Sequence, residues 1–273
     1  MTDTKYSISV IGYGNVSYRL AIALKKAGHN IDYIFGRNPE HSSKLAYLLN
    51  KQELVEIPEF SVTKAAKEIT QITNSDIIII AVSDNAIDEI TNQLITQTDI
   101  NSCPVSVFHC SAATPLSALK MFNNHGVLYP LMTLSKTKPV DFSLVPFFLE
   151  YNSDISKDQL INICYSLKSE YRITDSSERL KLHVAAVFVC NFINYLTGLA
   201  FDIAKPNHMS LLPLAIETVR KAFLYEHPKL VQTGPAIRKD WETIQKHLDF
   251  LEHYPQHKEV YKLLTEFISQ TEY

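Results

Sequence analysis

The run I-S-V-I-G-Y-G-N-V-S, from Ile8 to Ser17, sets Gly12 and Gly14 between an apolar strand-like segment and the helical pattern R-L-A-I-A-L-K-K. A glycine loop in that context can bind a dinucleotide. Gly12 permits the tight turn, Gly14 lets the backbone approach a pyrophosphate, and the new helix points its N-terminus at the phosphate charge. Tyr13, Asn15 and Val16 complete the loop and are expected to share in holding the cofactor. Ser17 replaces the third glycine of the fingerprint and is small enough for close helix-strand packing. Of the seven glycines in the chain, Gly12, Gly14, Gly28 and Gly36 fall at the turns a β-α-β unit needs, which favours the binding role over a purely structural turn.

The next strand-like segment, Asn30 to Phe35, ends in Gly36-Arg37-Asn38. A site for NAD usually carries an acid about 20 residues past the glycines to hold the ribose, whereas an arginine there accommodates the 2′-phosphate of NADP. The nearby acid, Asp32, lies inside the strand, so Arg37 with Asn38 favours NADP, its guanidinium holding phosphate through paired charge-assisted hydrogen bonds. The alternative is a solvated arginine at a strand end. Farther on, D-I-I-I-I-A-V opens into Val82, Ser83 and Asp84, a loop at the carboxyl end of a parallel strand that would lie along the cofactor crevice. Asp84 or Asn85 is also the expected cap of the helix after that loop.

Hydride transfer to a carbonyl or imine further needs a polar group that protonates the developing charge. His183, Asn191 and Asn194 are unusual on the apolar helix V-A-A-V-F-V-C-N-F-I-N-Y-L. At the helical repeat His183 and Asn194 fall about 20° apart and Asn191 about 80° from His183, so the three can share one side. Either they are satisfied within a core or they line a wet pocket. A histidine is a suitable residue type for proton transfer near neutral pH.

Strand and helix signals alternate through the first half, which predicts an α/β, Rossmann-type doubly wound parallel sheet. Strands are expected at Asp76 to Val82, Val105 to His109, Gly126 to Tyr129 and Val145 to Tyr151, with helices at 61–70 and about 86–94. After Asn152 helical periods dominate: Ser156 to Tyr171, a long buried helix from Ser176 to about Lys205, then segments near 211–225, 234–250 and 258–270. The expected division is a nucleotide-binding domain at 1–152 and an all-helical C-terminal domain at 153–273.

A net charge of -3 offers no electrostatic case for nucleic acid or an anionic membrane. The start M-T-D-T-K-Y lacks the charged and apolar regions of a signal peptide, and no apolar run is expected to reach the length needed to span a bilayer, so the cytoplasm is the expected location. Cys103, Cys110, Cys164 and Cys190 have neither metal-ligand nor disulfide-scaffold spacing, and no metal is expected.

The fingerprint together with F-H-C-S-A-A-T-P-L-S-A-L (108–119), G-V-L-Y-P-L-M-T-L-S-K (126–136), L-H-V-A-A-V-F-V-C-N-F (182–192) and T-G-P-A-I-R-K-D-W-E-T (233–243) resembles a bacterial family. Its members join a Rossmann-like NADP-binding domain to a helical domain of unknown function. More distantly the chain is similar to pyrroline carboxylate reductase, ketopantoate reductase and the deazaflavin-dependent NADP oxidoreductases. The resemblance implies an NADP-dependent oxidoreductase reducing a small keto or imine substrate in a cleft between domains, with a helical homodimer interface. It singles out His109 and Ser111 beside the cofactor, Tyr129 and Arg238 toward the substrate, and His183 and Asn191 as catalytic; Asn194 is expected toward the substrate from its place on the helix. Arg172, Arg179 and Arg220 are further candidates for a carboxylate clamp. The β-hydroxyacid dehydrogenases, also related in plan, place a lysine four residues before an asparagine on the long helix. Here those positions are Val187 and Cys190, which favours a reductase with His183 as donor or an Asn191-ordered water. A non-catalytic NADP(H)-binding sensor or interaction protein is the alternative.

Overall fold

The computed structural model describes residues 4–51, 62–224 and 227–270. Strand β1 (Ser7–Ile11) is largely buried and β4 (Ile77–Ile80) entirely so. A strand covered on both faces has no solvent side to keep polar, and that is why β4 reads I-I-I-I. Alternate residues still diverge. Ile8, Val10, Ile77 and Ile79 enter one core with α1 (Asn15–Lys26), α2 (Pro39–Leu49) and α4 (Asp154–Ser166), while Ile11, Ile78 and Ile80 enter another with α3 (Asp84–Gln97).

With β2 (Asn30–Phe35), β3 (Lys64–Ala65), β5 (Ser106–His109), β6 (Asn124–Pro130), β7 (Phe147–Tyr151) and β8 (Tyr171–Ile173), these strands form one sheet in the order β3-β2-β1-β4-β5-β6-β7-β8. Strands β1 to β6 are parallel, β7 is antiparallel to β6, and β8 is parallel to β7. The strand order reverses between β1 and β4, and such a switch point opens a ligand crevice at the strands' carboxyl ends. The expected doubly wound sheet with a helical C-terminal region is therefore present.

Several boundaries differ from expectation. Of the helix expected at 61–70, Ser61 lies outside the described residues. The rest gives the edge strand β3, drawn out of helix by pairing with Tyr33 and Ile34, and a 3-10 turn at Ile69–Ile72. Helix α4 stops at Ser166, Lys168 takes a left-handed backbone (φ 56°), and the chain pairs with β7 as β8. All residues of β8 are exposed, so it carries no alternation to read. Ser83, without a side-chain bond, is the cap of α3 in place of Asp84 or Asn85. Helix α8 (Trp241–Phe250) starts well after Gly234, capped by Asp240, which accepts from the Thr243 amide at 3.1 Å.

The chain divides into compact units Met1–Cys190 and Asn191–Tyr273, not at 152. The reason is burial: Leu160, Ile163 and Cys164 of α4 complete the sheet's core, and β8 extends the sheet itself. The second unit contains α7 (Leu212–Leu224), α8 and α9 (Pro255–Ser269).

The long helix also departs from its reading. Helix α5 (Ser176–Val187) passes through a π-helical turn, Phe188–Phe192, into α6 (Ile193–Ala204). A π-turn inserts about one residue and so rotates the next helical segment by about 100°, which breaks the simple phase relation of His183 to Asn191 and Asn194. Nor is this helix a buried one, since Phe188 is 61% and Phe192 48% exposed. As one continuous element, Ser176–Ala204 is long and apolar enough by length and composition to cross a membrane, an 18-residue stretch of it reaching a mean hydropathy of 1.8; that corrects the expectation that no such run exists.

Candidate active site

A cavity of about 410 Å³ lies at the carboxyl ends of the parallel strands, its lining drawn wholly from the first unit, where the sequence predicts an inter-domain cleft. The glycine loop forms its floor. Gly12 takes φ +116°, and a Cβ there would collide with the Ala81 carbonyl oxygen; its amide donates to the Phe35 carbonyl at 2.7 Å. This crossing of β1, β2 and β4 admits no side chain. Gly14 is different. A Cβ there would meet nothing within 4 Å, so no protein packing demands a glycine, and the open space faces the cavity. Gly14 is also the N-cap of α1, with no side-chain cap and no acid in the first turn. Amides at such an end are ready donors for an anion, so the cradle fits a dinucleotide pyrophosphate. Ser17 is fully buried, its hydroxyl donating to the Gly14 carbonyl at 3.1 Å.

Arg37 lines the cavity beside Gly36 and is exposed, with no carboxylate partner among the described residues. Asn38 turns away: its side chain caps α2, accepting from the Glu40 amide at 2.9 Å, so the structure gives it a helix-capping duty in place of a cofactor contact. Asp32 accepts from the Ser75 hydroxyl at 2.8 Å and is bonded to the Asn30 side chain, which removes it as a ribose ligand. Val82, Ser83, Asp84 and Ser111 line the cavity with Tyr13, Asn15 and Val16.

Tyr129 and His183 also line it. The Tyr129 hydroxyl and His183 Nδ1 are hydrogen-bonded at 3.1 Å. Burial raises the tyrosine's pKa, with Asp84 adding to the effect, so the phenol stays protonated at neutral pH. A phenol donating to Nδ1 leaves a neutral imidazole with its own proton on Nε2.

Arg179, one turn before His183, is fully buried and donates to the carbonyls of Ala112 (3.2 Å) and Thr114 (2.7 Å) and to Glu150. The Ser176 hydroxyl donates to the same carboxylate at 2.9 Å and accepts from the Leu116 amide at 3.1 Å. These bonds tie the start of α5, strand β7 and the loop after β5 together. Arg179 is thus a structural clasp and not an available clamp for a substrate acid.

His109 is wholly buried and does not line the cavity, contrary to its expected cofactor role. Its Nδ1 accepts from the Ser111 amide at 3.2 Å, shaping the loop that does line it. Burial first, and the nearby Arg179 charge second, lower its pKa to about 3, so it is neutral. Cys110 faces the cavity, but burial pushes its thiol up to about 12, which leaves it protonated and a poor nucleophile. Asn191, Asn194 and Arg238 belong to the second unit and are exposed there. The sequence reading missed Ala81, Cys110, Ala112 and Glu89 as lining residues; strand-end position was the available signal for the first three, and Glu89, inside α3, had none.

Residues 7–108 match the family model for NADP oxidoreductase, coenzyme F420-dependent, and residues 145–268 match a domain of unknown function, DUF2520. Over 102 residues the chain is 35% identical to glycerol-3-phosphate dehydrogenase [NAD(P)+] of Thermoanaerobacter sp. (strain X514), covering 37% of this chain and only 30% of that relative's length. Among solved structures it is similar to a Bacteroides fragilis protein described as a candidate NADP oxidoreductase, with TM-score 0.86 and 29% identity over 99% of this chain and 100% of the other. A reductive aminase from Aspergillus terreus, in complex with NADPH and ethyl-5-oxohexanoate, shares the fold at TM-score 0.65 and 12% identity, covering 98% and 93%. Pyrroline-5-carboxylate reductase of Coxiella burnetii shares it at 0.60 and 13%, covering 98% and 100%. Both parts of the resemblance read from the sequence, an NADP oxidoreductase segment and a C-terminal domain of unknown function, are matched.

Proposed function

We propose that this protein is an NADP-dependent oxidoreductase that reduces a small keto or imine compound. The observation that carries the reading is the cavity's two ends: a glycine-and-helix anion cradle with Arg37, and a hydrogen-bonded Tyr129–His183 pair. A bound nicotinamide dinucleotide would supply the hydride. Gly12, Gly14 and the first turn of α1 hold its pyrophosphate, and Arg37 its 2′-phosphate. His183 in its protonated form gives a proton to the substrate's carbonyl oxygen or imine nitrogen, is left as the neutral imidazole that its bond with the Tyr129 hydroxyl orients, and regains the proton from solvent. The likeness in fold to a reductive aminase in complex with NADPH and a keto compound supports this substrate class.

The test is calorimetric titration with NADPH and NADH, then a keto and imine panel read through cofactor absorbance. The expected result is at least tenfold tighter NADPH binding, about 1.4 kcal/mol, lost in Arg37→Ala, and turnover that His183→Ala abolishes while leaving cofactor affinity near normal. Tight NADPH binding without turnover on any compound would instead favour the sensor. We further propose a cytoplasmic homodimer that covers exposed apolar side chains of the second unit, among them Phe223, Trp241 and Phe267, because soluble monomers seldom expose so many large apolar groups. Light scattering of the purified chain tests this, and a monomer, or a requirement for detergent, overturns it.

A further inference from the structure

Beside the main cavity, and sharing Tyr13 with it, lies a hollow of about 290 Å³ lined by Tyr18, His41, Lys44 and Lys136. Tyr13 borders both: a Cβ on Gly36 would come within 2.8 Å of its ring, and the His41 ring packs on it at 4.6 Å. The β2–α2 turn supplies Arg37 on one side. On the other stands Lys136, from the chain beyond β6, a segment with no sequence proximity to the turn.

That lysine is held in place. Arg19 of α1 donates from Nε to the Ser135 carbonyl and from Nη2 to the Lys136 carbonyl, both at 2.6 Å. The Lys136 ammonium lies 5.8 Å from the Tyr13 ring centroid and 5.9 Å from that of Tyr18. It has no carboxylate partner among the described residues, while Glu40, the acid of this turn, is engaged with Lys44 at 2.6 Å. Arg19 thus fixes the backbone of a cation that has no carboxylate partner among the described residues and lies against Tyr13, the loop residue common to the hollow and the Arg37 cavity.

We propose that Lys136 is a specificity-determining residue which, with Arg37, binds the phosphomonoester of a 2′-phosphorylated dinucleotide, and that Arg19 is its positioning residue. This rests on the nucleotide-binding reading of the main cavity. NAD has no charge there for the lysine to meet, so the residue separates the two cofactors by charge and adds nothing to the part they share. Because Lys136 is exposed, its replacement leaves folding intact.

The experiment titrates wild type, Lys136→Met, Lys136→Arg and Arg19→Ala with NADPH and with NADH. Lys136→Met is expected to weaken NADPH roughly tenfold, the size of one charge-assisted phosphate contact, with NADH within about twofold and a shallower salt dependence for NADPH. Lys136→Arg retains the preference, and Arg19→Ala loses part of it. Equal weakening of both cofactors, or none, with a wild type that binds NADPH, overturns this assignment and leaves the oxidoreductase reading standing. A wild type that binds neither nucleotide overturns both.

Discussion

Replacing Arg179 by Met keeps most of the buried aliphatic volume and deletes the guanidinium, so its effect isolates the clasp. The loss is set by what stays behind. Glu150 keeps the Ser176 hydroxyl as a donor, and its side chain is 15% exposed, so some water reaches it. The carbonyls of Ala112 and Thr114 lose donors in a region where Arg179 had no exposure. Breaking a buried pair by removing one partner costs about 3–5 kcal/mol, and the partial hydration of Glu150 puts this case near the lower end. For a chain of this size, each kcal/mol moves Tm by about 2–4 °C, so a fall of about 10 °C is expected in calorimetry. Arg179→Met with Glu150→Gln should recover part of that fall, because the stranded charge is then gone. Since His183 lies one helical turn beyond Arg179, turnover should drop more than NADPH affinity. A melting point within about 2 °C of wild type, or a double variant that is additively worse, would refute the clasp.

Gly12→Ala combines a strained left-handed backbone with a clash against the Ala81 carbonyl, and is expected to destabilise by several kcal/mol and abolish nucleotide binding; thermal shift with and without NADPH reads both effects. Gly14→Ala, whose Cβ meets no protein atom, should instead fold normally and lose affinity alone, and equal melting losses in the two variants would contradict the distinction. Acid should destabilise through His109. Its folded pKa, about 3, lies below the unfolded value near 6.5, so the unfolded chain binds the extra proton between them. That stability is full above about pH 6.5 and is lost as pH falls toward 3, with a slope of up to about 1.4 kcal/mol per pH unit. Urea titrations from pH 7 to 4 should show the slope flattened in His109→Gln; an unchanged slope would place the acid sensitivity elsewhere, His125 being the next buried histidine with a lowered pKa.

How much the sequence made legible depends on how local each signal is. Gly12, Gly14 and Arg37 were readable because a tight turn and a strand-end cation leave a mark within a few residues. The aliphatic run of β4 announced a central strand for the same reason. The Tyr129–His183 bond joins residues 54 positions apart, and only their placement within separate motifs hinted at it. Strand β8 and the attachment of α4 to the sheet were illegible because they depend on tertiary pairing with β7 and β6. His109 misled because a histidine at a strand's carboxyl end looks like a ligand contact, whereas its neighbours exclude solvent completely. The long helix misled through the common inference that apolar means buried within the same chain.

Helix α1 begins without a capping side chain and without an acid, at a glycine backed by open space. Its first-turn amides have no acceptor side chain at the cap, so on the proposed function a bound anion would compete with water for them. Occupancy and local order then become one equilibrium. Amide protons at Asn15 to Ser17 should exchange readily in the apo protein and slow in proportion to bound anion, while those of β4, deep in the sheet, barely respond. If the proposed nucleotide binding holds, the glycine loop would report cofactor supply through its own stability before any substrate arrives.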